Sequence, residues 1–299
     1  MFVALTLGTA GPRAFGQEPD TLYESLYERV VAQFHQIEAQ LAKIFDKSAP
    51  CAQPQPPPIE ESDDPPGAGV LWDIVKNKCV KNFRATRSPD PCEVVAIESG
   101  TGKGYAILKD RDGETHFLLI PTTRVTGIED TKLLKPESTN YWQAAWSHAR
   151  EILSHKAGRD VSRGEIALAI NSIDERSQNQ FHIHIDCLSS GIVKALKDNE
   201  SKIGPDWDSS TSTIDVPGSG EHRVFFVAGE DLKTIDPFKI LADDLSRRKT
   251  ATNAVSLAME HHGLIVIGAH RSDGKDGFYI MDASGYIGGS SEEALQSCT

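Results

Sequence analysis

The segment Gln178-Asn179-Gln180-Phe181-His182-Ile183-His184-Ile185-Asp186-Cys187 sets two imidazoles and a carboxylate at alternate positions. As a strand of period two it turns His182, His184 and Asp186 to one face and Phe181, Ile183, Ile185 and Cys187 to the other. Adjacent titratable groups on a sheet mark a face that meets phosphate, a metal or a proton-transfer partner. A neutral imidazole attacks phosphorus without prior deprotonation, and its ordinary pKa leaves a neutral fraction at physiological pH. The same His/His/Asp face offers Zn²⁺ or Mn²⁺ three donors and a route to hydroxide. Three ligands at alternate positions of one strand are strained around a single ion.

Such a strand needs partners to hold it. Tyr105–Leu108 and His116–Ile120 are apolar runs joined through Asp110-Arg111-Asp112-Gly113, whose Asp-Gly pair tolerates the positive φ of a tight turn. Pro121 ends the second run. Trp142, Ala145, Trp146, Ala149, Ile152 and Leu153 keep helical spacing between Asn140 and His155, and Gly158 stands where that helix stops. Ile166–Ile170 reads as a buried strand, and polar residues 171–180 turn it into the histidine strand. Leu71–Val75 reads as a short helix leading to Cys79, and Val94–Ile97 as a further strand. The order hairpin, helix, hairpin predicts an α+β fold, an antiparallel sheet with a covering helix. Downstream, His222–Val227 and Phe278–Met281 read as strands and Pro237–Arg247 as a helix, without a catalytic signature. His261-His262 reads as a hairpin turn, and His116, His148, His155 and His222 as structural or exposed.

The 299 residues allow one large domain or two modest ones, and 39% apolar residues suffice for a core. A net charge of −12 opposes broad adhesion to nucleic acid or anionic lipid, so any phosphate must be gripped locally. Residues 1–16 are a candidate signal segment that lacks the basic residues of an n-region. The run Phe2–Gly8 is too short to span a bilayer. Within residues 17–48, Leu22, Leu26, Val30, Phe34, Ile37, Leu41 and Ile44 form the stripe of an amphipathic helix, and 49–69 is a Pro-rich acidic linker. The main domain, 70–299, follows. Five cysteines without a CxxC pair fit an oxidising compartment. Cys79 and Cys92 flank a short polar loop, and a bridge from Cys187 to Cys298 would staple the C-terminus beside the histidine strand. Buried free thiols are the alternative, and Cys51 is the residue left over.

Asn171, Gln178-Asn179-Gln180-Phe181 and His182-Ile183-His184-Ile185-Asp186, behind the hairpin ending Leu118-Leu119-Ile120-Pro121, resemble the histidine-triad superfamily of nucleotide hydrolases and transferases. Within it the chain is most similar to the bacterial CDP-diacylglycerol pyrophosphatase family. That resemblance includes Leu71–Val75, Leu108–Gly113, Ile120–Arg124, Leu168–Ser172 and the cysteine pattern, and it runs from about residue 70 to the end.

The resemblance implies a histidine-triad-like antiparallel sheet with covering helices, extended by a C-terminal α/β portion. It implies cleavage of CDP-diacylglycerol to CMP and phosphatidate through a nucleotidyl-histidine, with His184 as nucleophile and His182 orienting it. Asn171, Gln178 and Asn179 are the expected amides around ribose and phosphate. Asp186 departs from the superfamily pattern, which has histidine there. An ionised carboxylate repels phosphate, so Asp186 is expected either to hold an imidazole tautomer or to be protonated by burial. Arg124 and Lys109 are candidates for the missing positive charge, Arg124 first for its bidentate geometry. No cofactor or metal is implied. The expected partners are the lipid-nucleotide substrate, the membrane surface that carries it and a second copy of the chain, without nucleic acid; the expected location is periplasmic or at the inner membrane. The competing readings are a metal-dependent phosphohydrolase on the same face and a catalytically silent nucleotide- or lipid-binding module.

Overall fold

The strands predicted between Val94 and Met281 all pair into one antiparallel sheet. The computed structural model describes residues 69–101, 103–207, 213–216, 220–248, 258–283 and 291–299. The candidate signal segment, the amphipathic helix, the linker up to residue 68 and Cys51 lie outside the described residues. The strands are β1 (Val94–Ile97), β2 (Gly104–Lys109), β3 (Phe117–Pro121), β4 (Ile166–Ile170), β5 (Ile183–Leu188), β6 (Thr213–Val216), β7 (Gly220–Ala228), β8 (Leu264–His270), β9 (Asp276–Asp282) and β10 (Leu295–Gln296). Their order across the sheet is β1-β2-β3-β5-β4-β8-β9-β7-β6, and β10 pairs with β5.

The helices are α1 (Val70–Asp73), α2 (Lys81–Thr86), α3 (Tyr141–Ala157), α4 (Ser190–Asn199) and α5 (Pro237–Arg247). A π-helical stretch, Ile74–Val80, joins α1 to α2, so the short helix expected at Leu71–Val75 runs on past Cys79. Asn140 caps α3 by accepting from the Gln143 N–H, and Gly158 ends it at φ 67°, a conformation that favours glycine. Gly113 takes φ 72° in the β2–β3 turn, as the Asp-Gly pair requires.

The period of two divides each strand between two cores. Leu168, Ile183, Ile185 and Val266 pack beneath α3 and α5 with the fully buried Trp142 and Phe278. Truncating such a side chain to Ala costs about 2–5 kcal/mol through lost burial and the cavity left behind. On the opposite, histidine-bearing face, α4 covers Ala167, Ile265 and Met281 with Ile192, Ala195 and Leu196. The α1–α2 stretch covers Val95, Ala106, Leu118 and Ile120 on β1 to β3. Disulfides join Cys79 to Cys92 and Cys187 to Cys298.

The region expected as a C-terminal α/β extension continues the same sheet. β8 pairs with β4 from Leu264↔Ile170 to Ile267↔Ala167, in the middle of the strand order. The element order β2-β3-α3-β4-β5 recurs as β6-β7-α5-β8-β9, and the two halves meet back to back at β4 and β8. On the histidine face, β9 carries Tyr279 and Met281 where β5 carries imidazoles. The histidine pair therefore belongs to the first half. Among the described residues, no helix is long and apolar enough to cross a membrane.

Candidate active site

His184 sits in the middle of the sheet's first half because β5 is flanked on both sides. Leu118 of β3 and Ala169 of β4 pair directly opposite it. The ring is only 3% exposed. Its Nδ1 meets Nε2 of His116 at 2.9 Å, a residue that the β2–β3 turn delivers just ahead of β3. Its Nε2 lies 3.0 Å from Oε2 of Glu292, but the ring N–H direction misses the carboxylate, so Nε2 is buried without a hydrogen bond. Burial, followed by the like charges of His182 and His116, drives the His184 pKa well below the ordinary 6.5. The imidazole is thus neutral at physiological pH, with one nitrogen engaged and one free.

Glu292 comes from the chain terminus. It lies in the 3-10 turn Ser291–Ala294, whose backbone is tied down where Glu292 N–H donates to Asn171 Oδ1 and Ser189 N–H to the Ala294 carbonyl. Gly263 makes room for this turn, since a Cβ there would fall 1.9 Å from Ser291 Oγ. Beyond it, β10 pairs with β5 at Leu188 and Cys187, and the Cys187–Cys298 disulfide fixes the end.

Asn171, at the end of β4, also lines a small cavity with Thr126, Gly127, Arg176, Gln180 and His182. His182 stands at the threshold of β5, and its Nδ1 donates to the Gln180 carbonyl at 2.6 Å. That bond fixes its tautomer. It meets His184 edge to face, ring centroids 4.8 Å apart, and burial lowers its pKa. Gln180 is fully buried, and its Oε1 accepts from Arg124 Nη1 at 3.0 Å. A guanidinium only donates, so the amide oxygen must face Arg124 and the NH₂ must point away. That NH₂ has no hydrogen-bond partner. Arg176 pairs bidentately with Glu129 at 2.7 and 2.9 Å and donates to Asn179 Oδ1. Gly127 allows this, because a Cβ there would lie 1.8 Å from Arg176 Nη1.

His182, His184, Asn171 and, through Gln180, Arg124 therefore lie close together, while Asp186, Lys109, Gln178 and Asn179 make hydrogen bonds elsewhere in the fold. Asp186 shares the face of His184, yet its Oδ1 accepts from Thr115 Oγ1 at 2.6 Å and from its neighbour's Cys187 N–H. It bonds neither imidazole. Thr115 Oγ1 in turn accepts from Cys298 N–H, so the carboxylate anchors the C-terminal segment to β5. Burial raises its pKa, against the lowering effect of these hydrogen bonds. The Lys109 ammonium donates to the carbonyls of Asp110 and Gly113 and closes the β2–β3 turn. Gln178 Oε1 accepts from Leu71 N–H and pins α1, and Asn179 Oδ1 is taken by Arg176.

Among the described residues, the donor atoms of His182, His184 and Asp186 do not converge into one metal-ligating group. Among the described residues the ligand atoms of Asp110, His116 and His184 converge within 4.8 Å, and those of Asp186, Cys187 and Cys298 do likewise. The second cluster contains a disulfide. In the first, His116 Nε2 and His184 Nδ1 lie 2.9 Å apart, closer than the ~3.3 Å between tetrahedral ligands bound at ~2.05 Å. This spacing is that of a hydrogen bond.

Sequence reasoning missed His116, Gln180, Arg176, Thr115 and Glu292. His116 carried one signal, its place two residues before Leu118 on the strand beside β5. Glu292 carried none, since an acidic residue near a terminus is usually solvated.

The family model for CDP-diacylglycerol pyrophosphatase matches residues 66–298. A protein of Yersinia pestis described as CDP-diacylglycerol pyrophosphatase is 34% identical over 195 residues, which cover 64% of this chain and 71% of that protein. The matched span holds both disulfides, the histidine strand and the C-terminal turn that carries Glu292, and with them the chain belongs to the CDP-diacylglycerol pyrophosphatase family of hydrolases.

Proposed function

We propose that this chain hydrolyses the pyrophosphate bond of CDP-diacylglycerol to CMP and phosphatidate, with His184 attacking the cytidine-side phosphorus to form a nucleotidyl-histidine. The observation that carries this reading is the state of the His184 ring: neutral, buried, engaged at Nδ1 and unbonded at Nε2. In the first step the Nε2–P bond forms, and the phosphatidate oxygen leaves with the electron pair of the bond it shared with that phosphorus. Water then attacks the same phosphorus and the pair returns to Nε2.

Gln180 and Arg124 supply the donors that absorb charge on phosphoryl oxygens, and Asn171 and Arg176 line the adjoining cavity. His182 packs against the nucleophile and limits its rotation. The order β2-β3-α3-β4-β5, with histidines on β5, supports a place among histidine-triad-like proteins. Two disulfides support an oxidising compartment outside the cytoplasm, where the chain meets its substrate at a membrane surface.

The test is CMP release from CDP-diacylglycerol in mixed micelles, run with and without chelator. His184→Ala should abolish both turnover and a base-stable, acid-labile nucleotidyl adduct. Full activity in that variant, or activity lost to chelation and restored by metal, would overturn the mechanism.

A further inference from the structure

His116 is the only described side chain whose hydrogen bond reaches a ring nitrogen of His184. Attack through Nε2 requires a lone pair there, so the single proton of the neutral ring must sit on Nδ1. The acceptor at Nδ1 is His116 Nε2. A proton left on Nε2 would be a buried donor without an aligned partner, which costs about 1–3 kcal/mol.

We infer that His116 is the positioning residue of the nucleophile, selecting its reactive tautomer by accepting the Nδ1 proton and holding that proton through the covalent step. This rests on the nucleotidyl-histidine reading. When the Nε2–P bond forms, the His184 ring becomes a phosphorylated imidazolium that still bears its Nδ1 proton. Sharing the proton with His116 spreads the positive charge over two rings, and a carboxylate oxygen of Asp110 lies within 4.8 Å of a ring nitrogen of each. When water attacks, the Nε2–P bond breaks and its electron pair returns to Nε2. The Nδ1 proton has not left the pair, so the ring regains its starting tautomer, and the proton lost by water goes to solvent with CMP.

The place of His116 in the β2–β3 turn suits this task. It is half-buried, its backbone carbonyl is fixed by the Asp110 N–H, and the ring meets His184 at a tilt of 55° with centroids 5.0 Å apart. Among the described residues it makes no hydrogen bond or ring contact with the lining of the cavity beside Gln180, so its loss should leave substrate binding intact.

The experiment compares wild type, His116→Ala and His116→Gln in full-length protein. For His116→Ala, kcat should fall by about 10²-fold with KM nearly unchanged, in line with the usual effect of a positioned proton acceptor. Imidazole added to the buffer should restore part of the lost kcat, and His116→Gln, whose amide oxygen can accept the same proton, should retain more activity than Ala. An unchanged kcat, a loss confined to KM, or a loss that neither imidazole nor Gln relieves overturns the inference.

Nitrogen-15 NMR of the ligand-free protein tests the same point without substrate. His184 should be the Nδ1–H tautomer in wild type and shift toward Nε2–H in His116→Ala; the same tautomer in both overturns the inference. A wild type that releases no CMP would sink the proposed activity instead, and the tautomer measurement keeps the two failures apart.

Discussion

Glu292 Oε2 and His184 Nε2 lie 3.0 Å apart, so on the proposed mechanism the carboxylate stands where the reacting phosphorus would come. A near-attack geometry places that phosphorus ~3–3.5 Å from the nucleophile, so carboxylate and substrate compete for one position. The glutamate side chain is 38% exposed, while its backbone is tied to Asn171. The candidate site is therefore covered by a side chain whose backbone is held in place.

Glu292→Gln follows directly. Removing a negative charge from the approach of an anionic ligand should tighten CMP binding by ~1 kcal/mol, roughly fivefold, the modest size reflecting solvent screening. Calorimetric titration with CMP measures it, and weaker binding in the variant would show that the carboxylate helps hold the nucleotide.

The His184 pKa sets a pH dependence whose sign is fixed. Burial, His182 and His116 hold it well below 6.5, so the acid limb of kcat/KM should lie below the ~6.5 of a free imidazole. Stability follows the same shift. An unfolded chain protonates this ring near ~6.5 and the folded protein only at lower pH, so stability is lost as pH falls through that window. Denaturant unfolding at several pH values should show a shallower loss in His184→Gln, though not its absence, because burial lowers His182 in the same direction.

Period-two alternation made β5 and its two faces legible before any coordinates, and the Asp-Gly turn and Gly158 marked the hairpin and the end of α3. What alternation cannot encode is register. Leu118↔His184 fixes which residue ahead of β3 meets His184, and that pairing spans 66 positions of sequence. Glu292 is farther still, carried in by β10 and the Cys187–Cys298 bridge. Asp186 was placed on the correct face, but face does not name a partner: its bonds depend on Thr115 and Cys298, which only the folded chain brings beside it. Helix α4 passed unread because Ser190 and Gly191 blur its start and its apolar positions are few.

Gln180 should report on substrate through its unpartnered amide. Gln180→Leu removes a donor poised in the cavity and the acceptor of Arg124, and should raise KM about tenfold, the ~1.4 kcal/mol of one charge-assisted hydrogen bond. Gln180→Glu should be worse, because the new carboxylate keeps Arg124 but faces phosphate. Steady-state kinetics decides, and an unchanged KM in both variants would remove Gln180 from the binding site.

Asp186 separates anchoring from catalysis. Asn at this position keeps an oxygen to accept from Thr115 and from the Cys187 N–H, so Asp186→Asn should retain kcat within about threefold, far from the 10²–10⁴-fold loss of a catalytic proton donor. The stability effect has a definite sign. Burial raises the folded pKa above its ordinary value, so the stability linked to the protonated form is full below the unfolded pKa of ~3.9 and is lost as pH rises through the folded one. At neutral pH the amide avoids that loss and the variant should be the more stable, with the difference closing as the solution is acidified toward pH ~4. Thermal unfolding of both proteins across this range measures the gap, and a variant that is less stable at pH 7 and inactive would return Asp186 to the catalytic group.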